Sequence, residues 1–315
     1  MYLRALCGGD MGAKCIAIDV FSGDDEMGGF VTSAMQLIDG VGEFELILNK
    51  KGKSKSFGYV CLDRCEFTPI KTFLEHLQAG LEINIAFSID FTDSNGNCRL
   101  PNSLHHYDPV YPNAYIQAML AVSNVVQEYD RKRQYAAYGF GAETPFTKGT
   151  SFFFPLNGNT SDPVLPGMQA VIDTYAQLLP LLNFSGPTNL APTIRRVVEK
   201  ARRETGVYTI LIVLTDGDIT DEQPTIDEIV DADDAPLSIV FIGIGNADFS
   251  FMYDLDGDYQ CLRHTRDRGT RRDLVQFVPY RLFDGGEQTL FAAAVLEEIP
   301  QQVEDWGEIV DRDFS

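Results

Sequence analysis

Three short runs in this chain carry oxygen-bearing side chains in patterns that suit a hard cation. Asp90, Thr92 and Ser94 form an Asp-x-Thr-x-Ser run, Thr188 follows Gly186 and Pro187, and Asp216 lies in the run Thr215, Asp216, Gly217. Two carboxylates and three hydroxyls, with no His or Cys among them, favour Mg²⁺ or Mn²⁺, with Ca²⁺ as the next candidate, over zinc. A single Asp-x-Thr-x-Ser also has a structural use, because Asp, Ser and Thr satisfy unpaired backbone N–H groups at turns and helix starts. What sets these runs apart is that each falls at the expected mouth of a sheet.

The surrounding pattern predicts that sheet. Ile83 to Asp90, Tyr135 to Gly141, Tyr208 to Thr215 and Leu237 to Gly243 read as strands. The last two are continuous apolar runs, which marks strands covered on both faces. Helical spacing predicts helices over about 113–129, 167–182, 190–203, 226–231 and 288–303, after a short amphipathic helix over 69–78. Strands alternating with helices imply a three-layer α/β fold with a doubly wound, mostly parallel sheet. In such sheets ligands gather beyond the carboxyl ends of the strands. Asp90 and Asp216 are expected there.

Beyond the metal runs, Ile89 to Gly96, Ser103 to His106, Gly139 to Ala142, Phe154 to Asn159, Gly186 to Pro192, Asp254 to Asp258 and Asp273 to Pro279 form an ordered set. This set resembles the copine version of the von Willebrand factor A domain and spans about residues 67–305. The resemblance implies that Asp90, Thr92, Ser94, Thr188 and Asp216 take the five positions of a metal-ion-dependent adhesion site. It also implies an interaction module rather than an enzyme: an intracellular partner's exposed Asp or Glu completes the metal's shell. For the whole family it implies calcium-dependent phospholipid binding through C2 domains.

Residues 1–66 read as β-rich, with strands over Cys15 to Val20, Glu43 to Leu48 and Phe57 to Phe67. From about Cys15 to Glu66 they resemble the end of a C2 domain. Asp19 and Asp25 match acidic positions of its second calcium loop, but Phe21 stands where an acid is expected. Calcium affinity follows the number and charge of the oxygen ligands, so lipid binding by this remnant alone is not expected. The cluster Lys50 to Lys55 is expected to be a solvated hairpin; contact with an anionic membrane surface is its second reading. Residues 306–315 are expected to be an acidic tail.

Charge and composition exclude other classes. Acidic residues number 46 against 25 basic ones, a net charge of −21, which argues against a nucleic-acid partner. No apolar run approaches the length that spans a bilayer, and the N-terminus lacks the apolar segment of a signal peptide. A cytoplasmic protein, peripheral at the plasma membrane at most, is expected. Six cysteines are too sparse for a disulfide scaffold, and Cys61 with Cys65 lacks two further zinc ligands.

Other motifs fail on their spacing. A phosphatase-type Asp-x-Asp is broken by Thr92, a dinucleotide loop after Gly243 lacks its third glycine, and Asp254 to Asp258 lacks the glycine and glutamate of an EF-hand. His105 and His106 are expected to cap or pack. Arg263, Arg266, Arg268, Arg271 and Arg272 are expected to form internal ion pairs or to dock an acidic partner. A metal-dependent hydrolase is the alternative from another class, though no general base is evident beside the site. A copine-type ubiquitin ligase would need RING cysteines, and none follows Cys261.

Overall fold

The computed structural model describes residues 12–40, 42–50, 53–63, 70–126, 132–217, 219–256, 261–283 and 288–313. The chain divides into two compact units, Met1–Pro69 and Ile70–Ser315.

The first unit is a four-stranded antiparallel meander. Strands β1 (Ile16–Ser22), β2 (Asp25–Thr32), β3 (Glu43–Lys50) and β4 (Lys53–Cys61) pair in that order, and helix α1 (Ala34–Ile38) joins β2 to β3. Phe44 and Leu46 of β3 point inward, and the Phe44 ring stacks on Phe30 with centroids 4.5 Å apart. The sequence hid β2, because Gly28 and Gly29 read as turn chemistry. Gly28 instead holds a φ of 125° against the Ile47 backbone, where a Cβ would come within 2.8 Å of the Ile47 carbonyl carbon. The expected strand 57–67 is displaced: β4 begins at Lys53, paired with Lys50, and ends at Cys61. Lys51, Gly52, Cys65, Glu66 and Phe67 lie outside the described residues.

The second unit builds three layers. In chain order it contains α2 (Phe73–Gln78), β5 (Glu82–Asp90), α3 (Ala114–Val126), β6 (Gln134–Phe140), β7 (Ala142–Glu143), β8 (Phe154–Pro155), β9 (Val164–Pro166), α4 (Gly167–Leu178) and β10 (Asn183–Phe184). These are followed by α5 (Ala191–Ala201), β11 (Val207–Thr215), α6 (Glu222–Asp231), β12 (Leu237–Gly243), α7 (Ser250–Leu255), β13 (Val275–Pro279), α8 (Gln288–Leu296) and α9 (Ile299–Asp313). The main sheet runs β13-β12-β11-β5-β6-β8, with β9 also on β6. Its first five strands are parallel, and β8 and β9 pair antiparallel to β6.

Alternate residues of each strand feed two cores. Ile85, Phe87, Ile89, Ile210, Ile212 and Leu214 pack under α3, α4, α8 and α9. Leu211, Val213, Ile239 and Phe241 pack under α5, α6 and α7. At roughly 25 cal/mol per Å² of buried apolar surface, these two cores are the main stabilising term.

Two expectations near the C-terminus are corrected. The helix predicted over 288–303 is two helices, broken at Glu297 and Glu298. Pro300, which has no N–H to donate, falls in the first turn of the second, where none is needed. The residues expected to be a tail are helical as far as Asp313, with Gln302 and Val303 buried and the Trp306 ring 5.5 Å from that of Tyr208.

Three arginines of the run form internal ion pairs. Arg263 meets Asp267 at 3.2 Å, Arg268 meets Asp231, and Arg271 meets Asp233 at 3.2 Å. Arg272 is buried and donates to the carbonyls of Asp233, Ala235, Leu237 and Gln302 at 2.8, 2.9, 2.7 and 3.2 Å. Asp256 accepts from the Phe277 N–H at 2.6 Å, and Gly257 and Asp258 lie outside the described residues. No described helix is long and apolar enough to cross a membrane.

Candidate metal centre

Strands β5 and β11 are parallel neighbours with Ile89 opposite Leu214, so both end at the same edge of the sheet. Asp90 closes β5 and is fully buried; Asp216 follows β11 and is 7% exposed. Every oxygen of Asp90 is held. Its Oδ1 accepts from the Thr92 N–H at 2.8 Å and from Thr92 Oγ1 at 2.6 Å, and its Oδ2 accepts from Thr215 Oγ1 at 2.6 Å. Thr92 Oγ1 lies 2.9 Å from Ser94 Oγ, which lies 2.9 Å from Asp216 Oδ1.

Four of the five residues singled out by sequence therefore meet in one chain of oxygens. Thr188 is buried in the loop before α5, where its carbonyl accepts from the Thr220 N–H at 2.8 Å. Its hydroxyl makes no hydrogen bond to the other four. That loop is tied to the rest of the site by Asp93 N–H donating to the Ser185 carbonyl at 3.0 Å and Ser185 N–H donating to the Gly141 carbonyl at 2.9 Å. The Asp221 carboxylate takes the Leu190 and Ala191 N–H groups at 2.9 and 3.0 Å, satisfying two donors at the start of α5. Gly141, at φ 79°, packs so close to Thr92 that a Cβ there would overlap the Thr92 methyl.

Asp19 and Asp25 are placed differently. Asp19 is in mid-strand on β1 opposite Gly29, and Asp25 begins β2 opposite Ser22; both are exposed. Among the described residues no group of three or more His, Cys, Asp and Glu side chains is arranged to hold a metal ion.

The electrostatics of the oxygen chain are those of a site short of positive charge. Burial pushes the Asp90 carboxyl above its usual range. Burial, and after it the negative charge of Asp90, pushes Asp216 up to about 7. The proton count agrees. The links Asp90–Thr92, Thr92–Ser94 and Ser94–Asp216 are three oxygen–oxygen contacts, and the two hydroxyls supply one proton each. A proton on a carboxyl fills the third link, and a divalent cation removes the need for it. The chemistry of this donor set fits a hard cation, which Asp90, Thr92, Ser94 and Asp216 could hold.

The site rests on supporting residues, of which His105 packs as expected. His105 is fully buried, with Nε2 2.6 Å from the Asp90 carbonyl and Nδ1 2.6 Å from the Tyr175 hydroxyl. A carbonyl only accepts, so Nε2 carries the proton and Tyr175 donates to Nδ1. Burial lowers the ring's pKa to about 3, and the ring stacks on Tyr115 at 4.1 Å and Phe91 at 5.0 Å. His105 thus braces the end of β5 as a neutral ring. Tyr115 in turn donates to Asn95 Oδ1 at 2.6 Å. Thr215 stood in the quoted run without a role; Asn95, Tyr115, Tyr175 and Asp221 gave no signal, since their partners lie far along the chain.

A family model described as Copine matches residues 103–312, about two thirds of the chain. The chain belongs to the copine family. Thr188 and Asp216 fall inside the matched copine region, whereas Asp90, Thr92 and Ser94 lie just upstream of it. Solved structures similar to this copine include three with low identity. A manganese-loaded TRAP protein of Plasmodium vivax is 11% identical over 71% of this chain and 74% of that one, with a TM-score of 0.41. Proximal thread matrix protein 1 of the mussel byssus, with a zinc-occupied MIDAS motif, is 15% identical over 69% of this chain and 47% of that one, at 0.40. The SpRpn10 VWA domain is 10% identical over 67% of this chain and 93% of that one, at 0.41. This chain spans about half of the mussel protein's length. The family match stands beside an α/β fold in which helices cover both faces of a mostly parallel sheet.

Proposed function

We propose that this copine recruits an intracellular protein through a divalent cation held by Asp90, Thr92, Ser94, Thr188 and Asp216. The observation that carries this reading is the chain of oxygens from Asp90 to Asp216, closed by contacts of 2.6, 2.9 and 2.9 Å with one proton too few. Mg²⁺ or Mn²⁺ suits a set rich in hydroxyls; Ca²⁺ favours six to eight oxygens and more carboxylates. The cation's contribution is a fixed positive charge that accepts a carboxylate from a partner. The chain's own residues do the rest: Thr215 and His105 hold Asp90 in place, and the Asp221 cap holds the loop that carries Thr188.

Thr188 reaches the cation by rotation of its side chain or by a small movement of its loop, since it makes no hydrogen bond to the other four here. His105 is no general base in this scheme, because both ring nitrogens are committed. The first 66 residues are read as a C2-like β segment in which Asp19 and Asp25, exposed on β1 and β2, are weak calcium candidates. The place proposed for it is the cytoplasm, with peripheral contact at the plasma membrane.

Calorimetric titration of the full chain with Mg²⁺, Mn²⁺ and Ca²⁺ tests the reading, beside Asp90→Ala and Asp216→Ala. Saturable binding to the parent and loss in both folded variants is expected. Equal binding by parent and variants overturns it. Calcium-dependent co-sedimentation with phosphatidylserine vesicles would overturn the account of the C2 remnant.

A further inference from the structure

A groove of about 790 Å³ runs between α5 and the segment 150–163. We infer that this groove receives an extended acidic segment of the partner protein, whose carboxylates meet Arg196, Lys200 and Arg203. Pro192, Arg196, Lys200 and Arg203 recur at spacings of four and three, so they form one stripe of α5 and its last turn. All of them line the groove.

The cations of α5 fall into two groups. Those facing its other neighbours are each matched by an acid from another element: Arg195 with Glu228 at 2.5 Å, and Arg202 with Asp234. Those facing the groove are not. Arg196 and Arg203 share one carboxylate, Glu199, at 3.4 and 4.0 Å, and their side chains are 62% and 78% exposed. Lys200 meets Glu204 at 2.6 Å. Three cations against two acids leave a positive surplus in a chain whose net charge is −21. A local surplus of this sign attracts and orients an acidic segment.

The groove is also preformed. Thr193 Oγ1 donates to the Phe152 carbonyl at 3.0 Å, tying the segment to α5, and Ser151 N–H donates to the Ala142 carbonyl at 2.8 Å. Its floor is apolar, with the Tyr138 and Phe153 rings 4.6 Å apart. An acidic segment bearing aromatic or aliphatic side chains therefore fits better than a bare polyanion. From Pro192 to Arg203 the stripe is about 17 Å long at 1.5 Å per residue. That length takes about five residues of extended chain.

One end of the groove leads to the metal loop. Thr150, a groove residue, lies with its Oγ1 2.8 Å from Ser185 Oγ, and the Ser185 carbonyl accepts the Asp93 N–H. A segment with one carboxylate at the cation would continue past Thr150 along α5. This continuation rests on the cation reading above; the groove's own charges do not.

The probe is a fluorescein-labelled hexapeptide of alternating Glu and Phe, titrated by fluorescence polarisation with the full chain in EDTA and in Mg²⁺. Arg196→Glu with Arg203→Glu is expected to weaken binding about tenfold in both buffers, and Arg195→Gln to leave it unchanged. Asp216→Ala is expected to abolish only the gain due to Mg²⁺. If charge reversal leaves affinity intact while Mg²⁺ still strengthens binding, the groove assignment fails and the cation reading stands. If charge reversal weakens binding and Mg²⁺ has no effect, the groove stands and the cation reading fails. Arginine-dependent sedimentation with phosphatidylserine vesicles, without peptide binding, would overturn the assignment in favour of a lipid. Circular dichroism confirms that the reversed variant is folded.

Discussion

Asp216 and His105 titrate in opposite senses, and each leaves its own mark on stability. Asp216 has its pKa raised to about 7, so between about pH 4 and 7 the native state holds a proton that the unfolded chain has released. Stability without cation therefore falls as pH rises through that window. Asp216→Asn removes the Asp216 share of the fall, and in EDTA at pH 8 the variant should exceed the parent by on the order of 1–3 kcal/mol. Saturating cation should reverse the order, since a ligand at about 100 times its Kd adds about 2.7 kcal/mol to the parent alone. Urea unfolding at several pH values, with and without Mg²⁺, reads both effects; a flat profile in EDTA would count against the account. His105, lowered to about 3, acts the other way, with stability lost as pH falls from about 6.5 toward 3. His105→Phe should remove that acid loss, yet destabilise by about 2–3 kcal/mol at pH 7, because the Asp90 carbonyl and the Tyr175 hydroxyl lose their partner. Chemical denaturation at pH 5 and 7 checks both parts.

At the scale of elements, two positions set the geometry of the site without touching a cation. Gly141 turns the chain out of β6 at φ 79° beneath Thr92. Gly141→Ala should cost about 1–3 kcal/mol and weaken cation binding, because Thr92 must move. Asp221→Ala leaves the Leu190 and Ala191 N–H groups without their acceptor, a loss of about 1–2 kcal/mol, and loosens the loop carrying Thr188. Calorimetry should then show weaker cation binding beside the lowered Tm. The legibility of the elements follows the same physics. β11 and β12 could be read at once, because residues of both faces, such as Ile212 and Val213, enter a core. β2 could not, because Gly28 and Gly29 imitate a turn. The break between α8 and α9 was hidden because apolar spacing continues across Glu297 and Glu298. At the site, spacing along one loop revealed Asp90, Thr92 and Ser94, whereas His105 and Tyr175 are joined only by the fold.

At the scale of the molecule, one buried cation ties the far side of the sheet to the C-terminal helices. Arg272 gathers carbonyls from the chain preceding β12, from β12 itself and from α9. Arg272→Lys offers fewer donors without the planar fork, and should lower stability by about 2–4 kcal/mol while leaving cation affinity unchanged. A melt paired with a titration would separate these. Under the proposed reading, the net charge of −21 gives a bound cation its role: it would turn the carboxyl edge of an acidic molecule into a place where another carboxylate can bind. The most direct test is anomalous diffraction from crystals of the full chain soaked in Mn²⁺. The account predicts a manganese peak bounded by Asp90, Thr92, Ser94 and Asp216. No peak there at saturating Mn²⁺, or a peak only elsewhere, would contradict it.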